Sequence, residues 1–147
     1  MEPIEKLTHL IEFIQNRYKL EVSNLEKYSF TLDFEGEANT YKLKCNWEEE
    51  YLNFFITPFA TSARSEQCFS SLSKYLIKAN SNMEWVYFSI RSDGVPELNS
   101  YLPLAGLSEQ TIERVLAYLL YYGDKHYFNV LNLANNENAK ISDLSID

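Results

Sequence analysis

Apolar residues recur along this chain with two periods, and the switches between them outline a fold. Ile4, Leu7, Leu10, Ile11, Ile14 and Tyr18 return every three or four residues, with Glu5, Lys6, Glu12 and Gln15 on the other side. That spacing predicts an amphipathic helix over roughly Pro3 to Tyr18, with Pro3 tolerated in the first turn. The period then drops to two. Tyr28, Phe30, Leu32 and Phe34 share one side and Ser29, Thr31, Asp33 and Glu35 the other; after a short polar turn around Gly36, Tyr41, Leu43, Cys45 and Trp47 alternate with Lys42, Lys44 and Asn46. Two half-buried strands joined in this way form an antiparallel hairpin. Glu48-Glu49-Glu50 is the next turn, and Tyr51 to Phe59 is a third strand that ends or meets an edge at Pro58.

Helical spacing returns from about Arg64 to Ala79, where Cys68, Phe69, Leu72, Tyr75, Leu76 and Ala79 form a stripe that Asn80-Ser81-Asn82 stops. Glu84 to Arg91 reads as a fourth strand, with Val86, Phe88 and Ile90 on one side and Trp85 and Tyr87 on the other. Asp93-Gly94 is a hairpin turn signal leading into a fifth strand, Val95 to Leu104. Ser108 is suited to cap the last helix, with Leu107 and Ile112 at the positions of a hydrophobic staple. Gly123 interrupts that helix at a cost of about 1 kcal/mol relative to alanine, which leaves a kink or break there open. From Asn135 onward the chain is polar and reads as a frayed tail. The order is αβββαββα, an α+β domain over residues 1–134 with a single five-stranded antiparallel sheet and helices packed on it, followed by a polar C-terminal tail over 135–147.

Composition narrows the function classes. A length of 147 residues fits one domain, and 46% hydrophobic residues exclude wholesale disorder. The net charge of −8, with its lysines and arginines scattered, argues against a nucleic-acid partner. The longest apolar stretch, Val115 to Tyr122, is too short to span a bilayer, and Met1-Glu2-Pro3 does not open a signal peptide. A cytoplasmic protein with reduced thiols and no membrane partner is therefore expected. Cys45 and Cys68 have no CxxC or zinc-like spacing and read as small buried hydrophobes. With His9 and His126 as the only histidines, no three or four metal ligands cluster. Asp124-Lys125-His126 reads as an exposed polar helix face rather than acid–base machinery, and Glu48-Glu49-Glu50 as a solvated turn rather than a cation site. Neither a Gly-rich phosphate loop nor a GxSxG or HExxH motif occurs. The chain is thus expected to be no enzyme, without catalytic residues, cofactor or metal.

The order of elements in a small acidic chain resembles the fold of type III secretion chaperones. Within that fold the C-terminal half resembles the YbjN family, named for a bacterial sensory-transduction regulator. The residues that carry the likeness are a helix ending in Leu76 and Asn80, a strand with Phe88 and Ile90, and the Asp93-Gly94 turn. A strand ending Leu102-Pro103-Leu104 follows, then Leu107-Ser108 capping an apolar helix. The resemblance covers about Tyr28 to Ala134 and implies a non-enzymatic regulatory or chaperone-like domain, often dimeric. The eleven tyrosines of this chain depart from it.

One constellation remains. Beside the apolar side that the helices cover, the last three predicted strands carry a second set of large residues: Tyr51, Phe55, Phe59, Trp85, Tyr87 and Tyr101. That second side must meet the middle helix, another subunit or a ligand peptide, and large exposed apolar patches mark interaction sites. The leading expectation is a protein-interaction domain of YbjN type, a chaperone-like or regulatory adaptor that buries apolar partner surface there and forms a homodimer. One alternative is a dedicated type III secretion chaperone for an effector. Another is a small-ligand binder or enzyme with a pocket between sheet and helix.

Overall fold

The chain, described by a computed structural model, is placed over residues 3–18, 22–26, 29–48 and 50–146. Met1, Glu2, Tyr28 and Glu49 lie outside the described residues, as do the side chains of Ile4, Leu7 and Tyr18. Helix α1 runs over Pro3–Tyr18. A strand the periodicity did not announce follows, β1 at Val22–Glu26. The five predicted strands are then present as β2 (Ser29–Glu35), β3 (Thr40–Trp47), β4 (Tyr51–Ile56), β5 (Val86–Ile90) and β6 (Pro96–Pro103). Helix α2 spans Glu66–Asn80 and α3 spans Glu109–Asn135.

The α+β class and the antiparallel sheet hold, and the described sheet has six strands in the order β1-β2-β3-β4-β6-β5. The added strand takes the edge beside β2, pairing Val22 with Leu32 and Ser23 with Thr31 before an irregularity ahead of Glu26. An edge strand has one neighbour and can be held by a single ladder, so it needs no long alternation of its own. Helix α2 carries the chain from β4, in the middle of the sheet, to β5 at its far edge, and β6 returns between them.

Strict alternation puts every second residue of the strands under the helices. Phe30, Leu32, Tyr41, Leu43, Cys45, Leu52, Phe54, Ile56, Phe88, Leu98 and Leu102 are all buried there. They join Leu10 and Ile14 of α1, Leu72, Tyr75 and Leu76 of α2, and Ile112, Val115, Leu116 and Leu119 of α3 in one cluster. The middle helix therefore packs in the same layer as the other two. Ser65 caps α2 by accepting from the Cys68 N–H, and Ser108 caps α3 by accepting from the Thr111 N–H. Both cysteines are free and buried.

One open point closes and two expectations change. Helix α3 continues unbroken through Gly123, which is buried beneath two rings. A Cβ there would stand 3.4 Å from Tyr41 and 3.5 Å from Phe59, ordinary contact distances, so the packing of both rings on the helix would also admit alanine. The third predicted strand stops at Ile56 rather than Phe59. Pro58 has no N–H for a ladder, and the Phe59 N–H bonds instead to the Pro96 carbonyl at 2.8 Å. Residues 136–146 do not hang free. They form a 3-10 turn at Ile141–Asp143, with Ala139, Ile141, Leu144 and Ile146 packed against the core. The Asn129 amide donates to the Ser145 carbonyl at 3.1 Å and Gln67 to the Glu137 carbonyl at 2.8 Å, which ties this segment to both helices.

Candidate functional site

With the described helices on one side, the other side of the sheet is open. The register of the strands places its residues. Across the middle, Thr31 of β2 meets Lys44 of β3, then Phe55 of β4, Asn99 of β6 and Tyr87 of β5. One step along, Asn46, Asn53 and Tyr101 lie abreast. Tyr51 and Tyr101, diagonal neighbours on β4 and β6, stack with ring centroids 4.3 Å apart. The Lys44 ammonium lies 5.9 Å from the centre of the Phe55 ring. Tyr87 and Tyr101 are 45% and 48% exposed, so these rings present apolar surface to the outside.

Four of the six candidate residues are thus brought together: Tyr51, Phe55, Tyr87 and Tyr101. Phe59 is not among them. The bend after β4 turns it into the core, 1% exposed, stacked on Tyr41 and edge-on to Phe88 and Tyr127. Trp85 is exposed but displaced. Its φ of +68° lies in the left-handed region, so the alternation begins only at Val86. The Arg114 guanidinium of α3 lies 5.7 Å from its ring, which draws Trp85 toward the helical layer.

The open face is also acidic at one end. Desolvation first, then Glu48, the neighbouring phenols of Tyr51 and Tyr87, and Glu50 push the Tyr101 hydroxyl above the ordinary phenol value. Asn53 donates from its amide to Glu48 Oε1 at 3.2 Å, while its Oδ1 is covered and has no hydrogen-bond partner among the described residues. The carboxylate only accepts, so it identifies the amide end that faces it as the nitrogen. A covered acceptor left empty costs roughly 1–3 kcal/mol.

Other candidate chemistry resolves into structure. His126 is 1% exposed rather than part of an exposed polar face, and its Nδ1 lies 2.6 Å from the Tyr75 hydroxyl. Its spacing from Leu119, Tyr122 and Val130 places it on the buried stripe of α3, a signal that was available in the sequence. Asp124 is spent on the β2–β3 turn, accepting from the Glu37 and Ala38 N–H groups and the Tyr41 hydroxyl. No group of three or more His, Cys, Asp or Glu among the described residues is placed to hold a metal ion. A cleft of about 460 Å³ between α1 and the start of α3 is walled by Leu10, Phe13, Trp47, Leu104 and Ile112. Its polar members His9, Ser108 and Glu109 are all exposed. Among the described residues no helix is long and apolar enough to cross a membrane.

No protein-family model matches the sequence, and no curated protein matches it either. Solved structures do. The crystal structure of YbjN from E. coli, proposed to be a transcription regulator, matches with a TM-score of 0.57 over 84% of this chain and 92% of that one, at 12% identity. A chain of the HopA1–SchA chaperone–effector complex matches with a TM-score of 0.52 over 82% and 91%, at 17% identity. The fold is secretion-chaperone-like. Fold and sequence thus agree on the architecture that the turns and caps of the C-terminal half suggested. At these identities the likeness is one of fold, and the residues of the open face are this chain's own.

Proposed function

We propose that the chain is a non-enzymatic protein-interaction domain, a chaperone-like or regulatory adaptor that buries apolar partner surface on its open sheet face, and that it works as a homodimer. The observation that carries this is the cluster of Tyr51, Phe55, Tyr87 and Tyr101 left uncovered by all three helices. Aromatic clusters of this kind supply interface hot spots. The likeness to a chain of a chaperone–effector complex supports the same reading. The negative net charge favours solubility of a domain with an exposed aromatic patch and works against phosphate backbones. For the second copy, α3 offers a separate surface: Tyr121 and Phe128 stand 58% and 64% exposed two turns apart on its outer side.

The test compares Phe55→Ala and Tyr101→Ala with the core variant Phe88→Ala. Wild-type chain is expected to suppress the aggregation of reductively unfolded insulin, followed by light scattering. The two face variants should lose that ability while their melting shifts correspond to about 1 kcal/mol or less. Phe88→Ala should lose roughly 3–5 kcal/mol of folding stability. Equal destabilisation by all three, with suppression intact in the face variants, would show the open face to be ordinary structure. Sedimentation at micromolar concentration should give a dimer that Phe128→Glu dissociates; a wild-type monomer rejects the dimer.

A further inference from the structure

Charge decides what kind of segment the open face fits. Asp33 and Glu35 of β2 and Glu97 of β6 point to this side, and Glu48 and Glu50 stand at the β3–β4 turn beside the Tyr51–Tyr101 stack. Lys42 and Lys44 of β3 are its lysines among the described residues. Lys42 stands opposite Asp33 without an ion pair and Lys44 lies against Phe55, so among the described residues five carboxylates share this side with two ammonium groups. Arg91, at the end of β5, is bonded to Asp93 at 2.7 Å. No described lysine or arginine forms an ion pair with Glu48, Glu50 or Glu97. Aromatic surface and unmatched carboxylates therefore lie side by side, and Asn53 between them has a covered acceptor with no donor among the described residues. A second copy of this chain, itself at −8, brings the same surplus of negative charge.

The size of the cluster sets the length of what fits. Tyr51 and Phe55 are four residues apart on one strand, about 13 Å. Phe55 and Tyr87 are two strands apart, about 10 Å. An extended segment places alternate side chains on one side at about 7 Å spacing, so a short strand-like stretch reaches both tyrosine and phenylalanine of β4.

Resting on the reading of this face as a protein-binding surface, we propose that its occupant is an extended polypeptide segment that is both apolar and basic. Its apolar side chains pack on Tyr51, Phe55, Tyr87 and Tyr101, and its lysine or arginine side chains reach Glu48, Glu50 and Glu97. Apolar contact supplies the affinity, and the carboxylates select the sign of the partner's charge.

The experiment is a fluorescence-anisotropy titration of the full chain with labelled peptides of repeating Leu-Ser-Arg-Ser, Leu-Ser-Glu-Ser and Ser-Ser-Arg-Ser, named Leu-Arg, Leu-Glu and Ser-Arg for the residues they place together on one side of an extended chain. Leu-Arg is expected to bind, more weakly as salt rises. It should lose about tenfold in affinity with Phe55→Ala, and about tenfold with the paired change Glu48→Gln and Glu50→Gln, circular dichroism being unchanged. Leu-Glu binding as tightly as Leu-Arg overturns the assignment of a basic segment and leaves the apolar face standing. Ser-Arg binding as tightly as Leu-Arg, indifferent to Phe55→Ala, reduces the interaction to diffuse attraction and overturns the inference. If Leu-Arg fails to bind while insulin aggregation is still suppressed through Phe55 and Tyr101, the inference falls alone. If that suppression is absent as well, the reading of the face falls with it.

Discussion

Asp124 does more for this fold than its place in a charged run suggests. From α3 its carboxylate accepts from the Glu37 N–H at 2.9 Å, the Ala38 N–H at 3.1 Å and the Tyr41 hydroxyl at 2.8 Å. One side chain thus ties the β2–β3 turn to the helical layer. Burial, and after it the Asp124 contact, holds the Tyr41 phenol well above its usual range. Gly36 leaves the space for this: a Cβ there would lie 2.5 Å from Asp124 Oδ1 and 2.8 Å from the Tyr41 ring. Gly36→Ala must therefore displace the carboxylate, and we expect a loss of about 1–3 kcal/mol in urea unfolding. Combined with Asp124→Ala it should cost less than the sum, because both changes break the same contact. An additive pair would mean that the two residues act separately. The sequence shows why this latch was illegible. Periodicity reports which side of an element is apolar, and it says nothing about which polar residue meets a turn far away in the chain. Trp85 leaves the alternation for a related reason: counting alternate positions assumes extended backbone throughout, and one residue at φ +68° breaks the count. Tyr51, Phe55, Tyr87 and Tyr101 were legible because they sit within the strands, where the period of two holds.

At the scale of elements, the free edge of β5 shows how a helix terminus can complete a sheet. Asn80, the last residue of α2, donates from its amide to the Phe88 carbonyl at 2.9 Å and accepts from the Phe88 N–H at 2.7 Å. It stands in for the missing neighbour strand, and an edge so occupied is closed to pairing at that point. In sequence the same asparagine reads only as a helix stop; its second role depends on a crossover that brings α2 beside β5. Asn80→Ala should leave both groups of Phe88 without their partner, costing about 1–3 kcal/mol. The sharper readout is hydrogen exchange, where the Phe88 amide should lose protection while the amides bonded within the β5–β6 ladder change only with global stability. An unchanged Phe88 exchange rate would contradict the closure. Strand β1 was missed for want of pattern, since Val22 and Leu25 fall at positions of opposite parity. Helix α3 was legible in its cap and stripe, and its continuity through Gly123 goes with a buried stripe that runs on from Leu119 and Tyr122 to His126 and Val130.

For the molecule as a whole, the buried group that links stability to mildly acidic pH is His126, where α2, β5 and α3 meet. Tyr75 of α2 faces its Nδ1, and the ring of Phe88 of β5 lies edge-on to it at 5.6 Å. Asn129 donates to the Tyr75 hydroxyl at 3.0 Å and to the Ser145 carbonyl, so the same cluster reaches the C-terminal segment. The Tyr75 hydroxyl and Nδ1 share one hydrogen, and which of them donates is set by the imidazole tautomer; when Nδ1 accepts, the neutral ring carries its hydrogen on Nε2. Burial first, then the charge of Lys125, lowers the His126 pKa from 6.5 to about 4. The sign follows from the two states. The unfolded chain takes up the proton near pH 6.5, whereas the folded chain resists it until about pH 4. Stability from this group is therefore complete above pH 6.5, declines as the pH falls below it, and is fully lost once the pH passes below about 4, a change of roughly 3 kcal/mol. Carboxylates titrate in the lower part of this window, so the measurement is a difference. Urea unfolding of the wild type and of His126→Asn is compared from pH 7 to pH 4. The amide oxygen of asparagine lies where Nδ1 was and can still accept from Tyr75, without taking a proton. The variant should be less stable at pH 7, since it removes packed ring atoms, and the gap between the two proteins should narrow as the pH falls. Parallel stability curves across that range would show that His126 does not carry the acid sensitivity of the fold.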